Sequence, residues 1–461
     1  MGRFRRGQKI ANRILAGVFF LTASFISLLP PETLHANGFY RNGIGARSVG
    51  LGGAFIPLGE GPLGSMGSNP AGLGYLTYPT LDVSLVGVAR DGILGAASSD
   101  PDGRMYGSAS ALPEVAWARP MNKDNDGFGV GLAVIPESLW SAQWQYADPA
   151  GGMDGQTSYG SQRNAVRMTV VRGSAGVGFS FGSVLAVGGS LGWVYNETVM
   201  QGPYVFQSTA TGVGGFKTLM DLRTNGVGIN GSGGLLLRIH PRVQFGGAYV
   251  SKTVIHGKGD AYGNASAQLN SLGGVFAGAD PLFHYDLETL LVLPARAGGG
   301  LAVLPHKKWL VSAQADWYNW ADAFDQLDID FLRGTNAALN ALSGSDRLNE
   351  VYPFKWENRV VVRGGLEFSP TRHARFRAGY AQGKSPVPEE YLTPLWAFLP
   401  ERSASVGAGY RSEQVKCDFA YQMDFARAQT IQRTRLLAGE NAGQRLRTVA
   451  HTIAITLSTY F

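Results

Sequence analysis

The chain has 461 residues, enough for two or three ordinary domains or one large closed sheet. Its 64 glycines are about twice the usual share and only 16% of its residues are charged, which excludes a disordered chain and suits closely packed β-structure. The net charge of +6 makes no case for nucleic acid as a partner, because five of the cations lie between Arg3 and Arg13 and the remainder is close to neutral.

In chain order, residues 1–36 read as a signal peptide. A basic start leads into an apolar run from Ile14 to Leu29, and Leu34-His35-Ala36 supplies a small-residue cleavage site. That run is shorter than the roughly 20 residues a spanning helix needs, the alternative being a retained anchor helix. Residues 37–78 are glycine-rich and do not alternate; they are expected to form a plug, or hatch, where a periplasmic tail would be less apolar.

Residues 79–461 repeat a different pattern of period-two segments joined alternately by short turns and long loops. Trp309, Val311, Ala313, Ala315 and Trp317 share one face of a strand, and Ser312, Gln314 and Asp316 share the other. The segment from Val360 to Phe368 sets apolar residues against Arg359, Arg363 and Glu367, and Val415 to Phe425 behaves likewise around Lys416 and Asp418. Fourteen such segments predict an all-β fold, a transmembrane antiparallel barrel of about 14 strands with the hatch inside its lumen. Short turns, including one at 122–126, fall on one rim. Long loops, including 91–109, 139–163, 257–288, 320–356 and 383–401, fall on the other. A soluble sandwich would alternate too; the expected export signal and the loop asymmetry favour the bacterial outer membrane.

Several motifs resemble one family. Gly38-Phe39, the glycine-rich stretch Gly50–Phe55 and the triplet Asn69-Pro70-Ala71 are similar to the hatch of FadL-type long-chain fatty-acid transporters. Leu112-Pro113, Asp126–Gly131, Trp356-Glu357-Asn358 and Arg377–Tyr380 running to Ser385-Pro386-Val387-Pro388 extend the similarity through the barrel. The resemblance implies passive uptake of a hydrophobic small molecule, a long-chain fatty acid or an aromatic hydrocarbon. The cargo would be captured at extracellular loops, pass a rearranging hatch and leave sideways through the wall.

It also implies sites. Asn37, Gly38 and Phe39 would touch the ligand, and Asn69, Pro70 and Ala71 form the hatch motif. The lateral exit would lie in the third strand, at Gly129, Gly131 and Pro136, unless Pro136 merely ends that strand. Leu392, Leu395, Trp396 and Phe398 would offer an apolar extracellular groove, or else pack among themselves. Arg359, Arg363, Arg375 and Arg377 would either meet a carboxylate headgroup or pair with Glu367, Asp418 and Asp424 inside the lumen. Expected partners beyond the ligand are outer-membrane lipid, lipopolysaccharide and, through the terminal Phe461, the barrel-assembly machinery.

Two other functions share parts of this pattern. A hydrophilic porin needs the barrel but no apolar hatch. A lipid hydrolase could use His451 on the lipid face, yet no serine and asparagine stand at a spacing that supports it. Gly226–Gly231 fits a dinucleotide motif without the strand–turn–helix around it. The single Cys417 and seven histidines show no metal-ligand spacing, so no catalytic residue, cofactor or metal is expected.

Overall fold

The computed structural model describes residues 38–96, 103–121, 127–276, 278–397 and 400–461. The expected signal peptide, Asn37, the turn at 122–126 and Phe398 lie outside the described residues.

Among the described residues, fourteen wall positions follow in chain order. The first six are β1 (Thr80–Ala96), β2 (Ser108–Pro120, preceded by the short piece Gly103–Met105), β3 (Phe128–Ala147), β4 (Ser161–Phe181), β5 (Leu185–Val205) and β6 (Lys217–His240). β7 runs as Val243–Val250 and resumes as Thr253–Asn264; β8 runs as Leu282–Leu293 and resumes as Arg296–His306. Then come β9 (Trp309–Tyr318), β10 (Arg359–Phe368), β11 (Ala374–Gln382), β12 (Arg402–Arg411), β13 (Val415–Phe425) and β14 (Gln444–Tyr460). Neighbours pair antiparallel, and β1 pairs with β14 from Thr80↔Tyr460 to Ala96↔Gln444. The sheet therefore closes on itself, first strand to last.

The two faces identify the surroundings. Leu85, Leu132, Phe179, Leu191, Val227, Ile229, Val406 and Ile455 point outward and are exposed. Ser84, Glu114, Arg172, Gln314, Asp316, Arg363, Glu367 and Asp418 point inward and are buried. Apolar outside and polar inside inverts a soluble protein and fits a barrel whose outer solvent is lipid. No described helix is long and apolar enough to cross a membrane, which bears only on helices.

Strands outrun their expected limits at the long-loop end. β1 continues to Ala96 rather than residue 90, β3 to Ala147 rather than 138, and β6 begins at Lys217 rather than 223. Above the lipid the outer face carries residues such as Arg223 and Lys258, so the hydrophobic alternation fades while backbone pairing continues. The expected loop at 320–356 likewise holds a hairpin, Gln326–Leu332 with Leu348–Pro353, which pairs onto upper β8.

Inside the barrel lies the hatch: α1 (Gly45–Gly50), α2 (Gly61–Gly67) and a 3-10 turn, Pro70–Tyr75. Leu63, Met66 and Leu73 pack against β2 and β3, while Leu51, Phe55 and Leu58 pack toward β8 and β9. A much larger apolar cluster fills the lumen above the hatch, at the extracellular end.

Candidate functional site

The hatch is seated by its Asn-Pro-Ala turn. Asn69 is fully buried, accepts a hydrogen bond from Ala71 N (3.2 Å), and donates to Ile56 O (2.9 Å) and Leu235 O (3.0 Å). It thereby ties the turn both to the rest of the hatch and to β6. The wall accommodates this approach with glycine: a Cβ at Gly234 would fall on Asn69 Oδ1, and one at Gly188 would fall on the Pro70 carbonyl. The excess of glycine is in part the cost of bringing a plug this close to the strands.

The lumen arginines are paired. Glu367 lies 2.9 Å from Arg47 of the hatch and 2.7 Å from Arg377, which also meets Asp418 at 2.8 Å. Arg363 holds Asp316 and reaches Asn42 of the hatch. Arg359 donates to Ser385 O (2.9 Å) and pairs with Glu357, and Arg375 stands 4.0 Å from Glu367. Arg363 and Arg377 are thus held among wall carboxylates and next to hatch residues, Arg359 is held by loop residues, and Asp424 accepts a hydrogen bond from Gln422 (2.7 Å).

Above the hatch, aromatic rings crowd together. Phe39 is buried, with ring centroids 4.9 Å from Trp320, 5.3 Å from Phe324 and 6.1 Å from Trp356. Trp320 and Phe324 flank α4 (Trp320–Ala323; the loop helix Ser266–Leu272 is α3), and Phe354 and Trp356 leave the far strand of the hairpin. Phe324, Phe354 and Trp396 then line an almost wholly apolar cavity of about 40 Å³, closed on the wall side by Met168, Leu222 and Leu291. Apolar cavities that take up benzene measure about 150 Å³, so a ligand enters this one only as rings move.

The roof of that cavity hangs on buried polar groups. Glu350 accepts hydrogen bonds from Tyr204 Oη (2.9 Å), Gln207 N (2.6 Å) and Ser208 N (3.0 Å). Burial nonetheless pushes its carboxyl above the usual range. Lys217 Nζ is fully buried between Asp148 (2.9 Å) and Glu440 (2.8 Å), whose carboxyls burial also raises.

Below the rings, the wall is breached. β2 and β3 pair from Pro120↔Gly129 to Val115↔Val134, then part; they rejoin where Tyr106 N donates to Gln143 O (2.7 Å) and Met105 pairs with Trp144. Between these points β3 also carries a bulge, its register with β4 skipping Glu137. From Ile135 to Ala142 every residue is buried, so the strand loses its in–out alternation and leans into the lumen. The bulge turns Glu137 inward, where its carboxylate lies 3.0 Å from Arg172 and 2.6 Å from Arg296. Arg41 of the hatch crosses the breach: Nη1 donates to Pro136 O at 2.7 Å, and Nη2 lies 2.6 Å from Glu114 on β2.

The expected site residues divide accordingly. Gly38 and Phe39 join the aromatic cluster and Pro136 lies at the breach. Gly129 and Gly131 sit lower, in the paired stretch, where they let Leu73 and Met66 of the hatch approach. Leu392, Leu395 and Trp396 are buried and pack into the apolar cluster above the hatch, the arrangement of the second of their two expected readings. His451 Nδ1 meets Tyr421 Oη across the strands at 2.8 Å. Glu114, Glu137, Arg41 and Arg296 were not anticipated. Two signs were available: a glutamate after proline inside an apolar strand, and the crowding of Trp320, Phe324, Phe354 and Trp356 in a single loop.

Together these features define a class: an outer-membrane β-barrel with a lumenal hatch and a local gap in the strand pairing of its wall. The family model for outer membrane transport proteins (OMPP1/FadL/TodX) matches residues 32–461, and the chain belongs to that family of hydrophobic-compound channels, which are not enzymes. Among solved structures, a Pseudomonas aeruginosa FadL homologue is 16% identical, with a TM-score of 0.70 over 92% of this chain and 100% of that one. The Pseudomonas putida toluene transporter TodX is 18% identical (TM-score 0.67, 91% and 99% covered). The Ralstonia pickettii toluene transporter TbuX is 19% identical (TM-score 0.64, 91% and 99% covered). At these identities the likeness is one of fold. A search of curated protein sequences finds no match.

Proposed function

We propose that the chain carries uncharged aromatic hydrocarbons passively inward, from the aromatic pocket to the breach in the wall, and so into the membrane. Fatty acids are the second cargo class. The observation that carries this reading is the succession of contacts: Phe324 lines the cavity and meets Phe39, and Arg41, two residues on, reaches the breach at Pro136. Two features favour an uncharged cargo. Rings line the entry, and the cations nearest the route, Arg41, Arg172, Arg296 and Arg363, each face a carboxylate already. Two of the similar structures, TodX and TbuX, are toluene transporters. In this reading Gly38 and Phe39 (with Asn37 before them) meet the ligand, Asn69, Pro70 and Ala71 hold the hatch, and Pro136 borders the exit. Residues 1–36 direct export, lipopolysaccharide surrounds the charged outer collar, and Phe461 engages the assembly machinery.

The test is uptake of labelled toluene, oleate and a small sugar by cells that lack their own hydrophobic channel and express this chain. Toluene entry without sugar leakage supports the proposal, and oleate entry alone moves the cargo to fatty acids. Sugar entry would make it a porin and overturn the proposal.

A further inference from the structure

We infer that Arg41 is a positioning residue that clasps the two lips of the wall breach, so that the breach widens only when the first turn of the hatch is unseated. The inference rests on the lateral-exit reading above and names how that exit is controlled.

One guanidinium holds both lips. Its contact with Pro136 O belongs to β3 and its contact with Glu114 belongs to β2, over a stretch where the two strands exchange no ladder bonds. The Arg41 side chain is 6% exposed and that of Glu114 is fully buried, so the pair is not a solvated surface contact. The same turn binds twice more: Arg41 N donates to Glu137 O (3.3 Å), and Gly45 N donates to the second oxygen of Glu114 (2.9 Å). Arg90 on β1 also reaches across, to Leu139 O at 2.7 Å. Arg90, however, belongs to the wall and stays with it, whereas Arg41 can leave with the hatch.

The chain couples this clasp to the pocket at short range. Phe39 stands in the ring cluster, Tyr40 lies 5.7 Å from Trp320 and beneath the Arg296 guanidinium (4.8 Å), and Arg41 is next. Consecutive Cα atoms are about 3.8 Å apart, so a ring displaced at Phe39 draws on Arg41 directly. Gly38, Gly43 and Gly45, all at positive φ, flank the segment and supply the backbone freedom to swing. A ligand that enlarges the pocket by moving Phe39 would thus release both lips in one step.

Ser138 lies in the unpaired stretch of β3 and is fully buried, which makes Ser138→Cys a near-isosteric reporter in a Cys417→Ser background. The measurement is its rate of modification by a membrane-permeant maleimide in bilayer nanodiscs, with and without toluene. We expect slow modification in the otherwise unaltered protein, at least tenfold acceleration by toluene, and the fast rate without toluene in Arg41→Gln and Glu114→Gln. The exchange Arg41→Glu with Glu114→Arg restores part of the slow rate, which loss of a merely structural residue would not. If Arg41→Gln does not fold, Arg41→Lys, which keeps the charge but cannot bridge both lips, gives an intermediate rate. A slow rate in these variants that toluene still accelerates overturns the clasp. Toluene uptake with no acceleration in the unaltered protein overturns the lateral exit itself.

Discussion

Glu137 lies 2.6 Å from Arg296, and this pair joins β3 to β8 across the lumen at the point where β3 breaks from its outer neighbour. The bulge brings the carboxylate in, and the arginines keep it there. Proline at 136 contributes because it has no backbone N–H, so a ladder donor is missing next to Glu137. The gap in pairing therefore comes from an inward pull on one strand as well as from a weakness in its ladder.

Removing that pull has two consequences. Glu137→Gln leaves Arg172 and Arg296 buried with less charge compensation, and breaking a buried pair on one side costs about 3–5 kcal/mol. A lower urea midpoint for the refolded barrel, followed by tryptophan emission, is the expected outcome. Deleting Glu137 altogether restores an unbulged register with β4 and lets β3 return to β2. Toluene uptake should then fall severalfold while the barrel still folds; undiminished uptake would contradict the link between bulge and exit.

The seat of the hatch depends on missing atoms in the wall. In Gly234→Ala the new methyl meets Asn69 Oδ1, and overpacking of this kind costs about 1–3 kcal/mol. The affected contact ties hatch to barrel, so the effect should appear as leakage as well as lost stability. Liposome swelling in a small sugar should rise above that of the unaltered protein. Equal swelling with an equal urea midpoint would show that the hatch does not need this seat.

How much of this was legible beforehand follows from where the physics is local. Alternation in β9, from Trp309 to Trp317, needs only two faces with different solvents, so it is written in consecutive residues. The Asn69-Pro70-Ala71 turn is likewise a local signal, although its partners Leu235 and Gly234 lie far along the chain. The upper strands were missed because their outer faces stand in water, where pairing continues without apolar residues. Glu114 on β2 and Arg41 in the hatch carry no sequence mark, since their roles exist only once the barrel closes and sets them 2.6 Å apart. Leu392 and Trp396 left two readings open for a related reason: an apolar loop looks the same whether it lines a groove or packs beneath a neighbour.

Phe39 tests the entry side of the proposal. Truncating a buried phenylalanine to alanine costs about 3–5 kcal/mol in a rigid core. Phe39→Ala also enlarges the apolar space below Phe324, toward a size that admits a benzene ring without rearrangement. Weaker thermal stability together with a toluene response that saturates at lower concentration is the expected combination, read by calorimetry and by uptake. Unchanged saturation would place the ligand elsewhere in the lumen.

The roof should respond to pH through Glu350. Its folded-state pKa is raised by burial, so the folded roof binds a proton more tightly than the unfolded loop does. Its contribution to stability is therefore complete below the unfolded carboxyl value of about 4.3, and is lost as pH rises through the higher folded value. Glu440 and Asp148, raised in the same sense, add to the slope. Hydrogen exchange at the Gln207 and Ser208 amides, which donate to Glu350, reads this directly once rates are corrected for intrinsic pH dependence. Protection should be greatest in mild acid and decline toward neutrality, and Glu350→Gln should flatten the part of the decline that belongs to this group. Protection that instead grows with pH would mean that the three donors outweigh burial, and that the ionised carboxylate is the form the roof is built around.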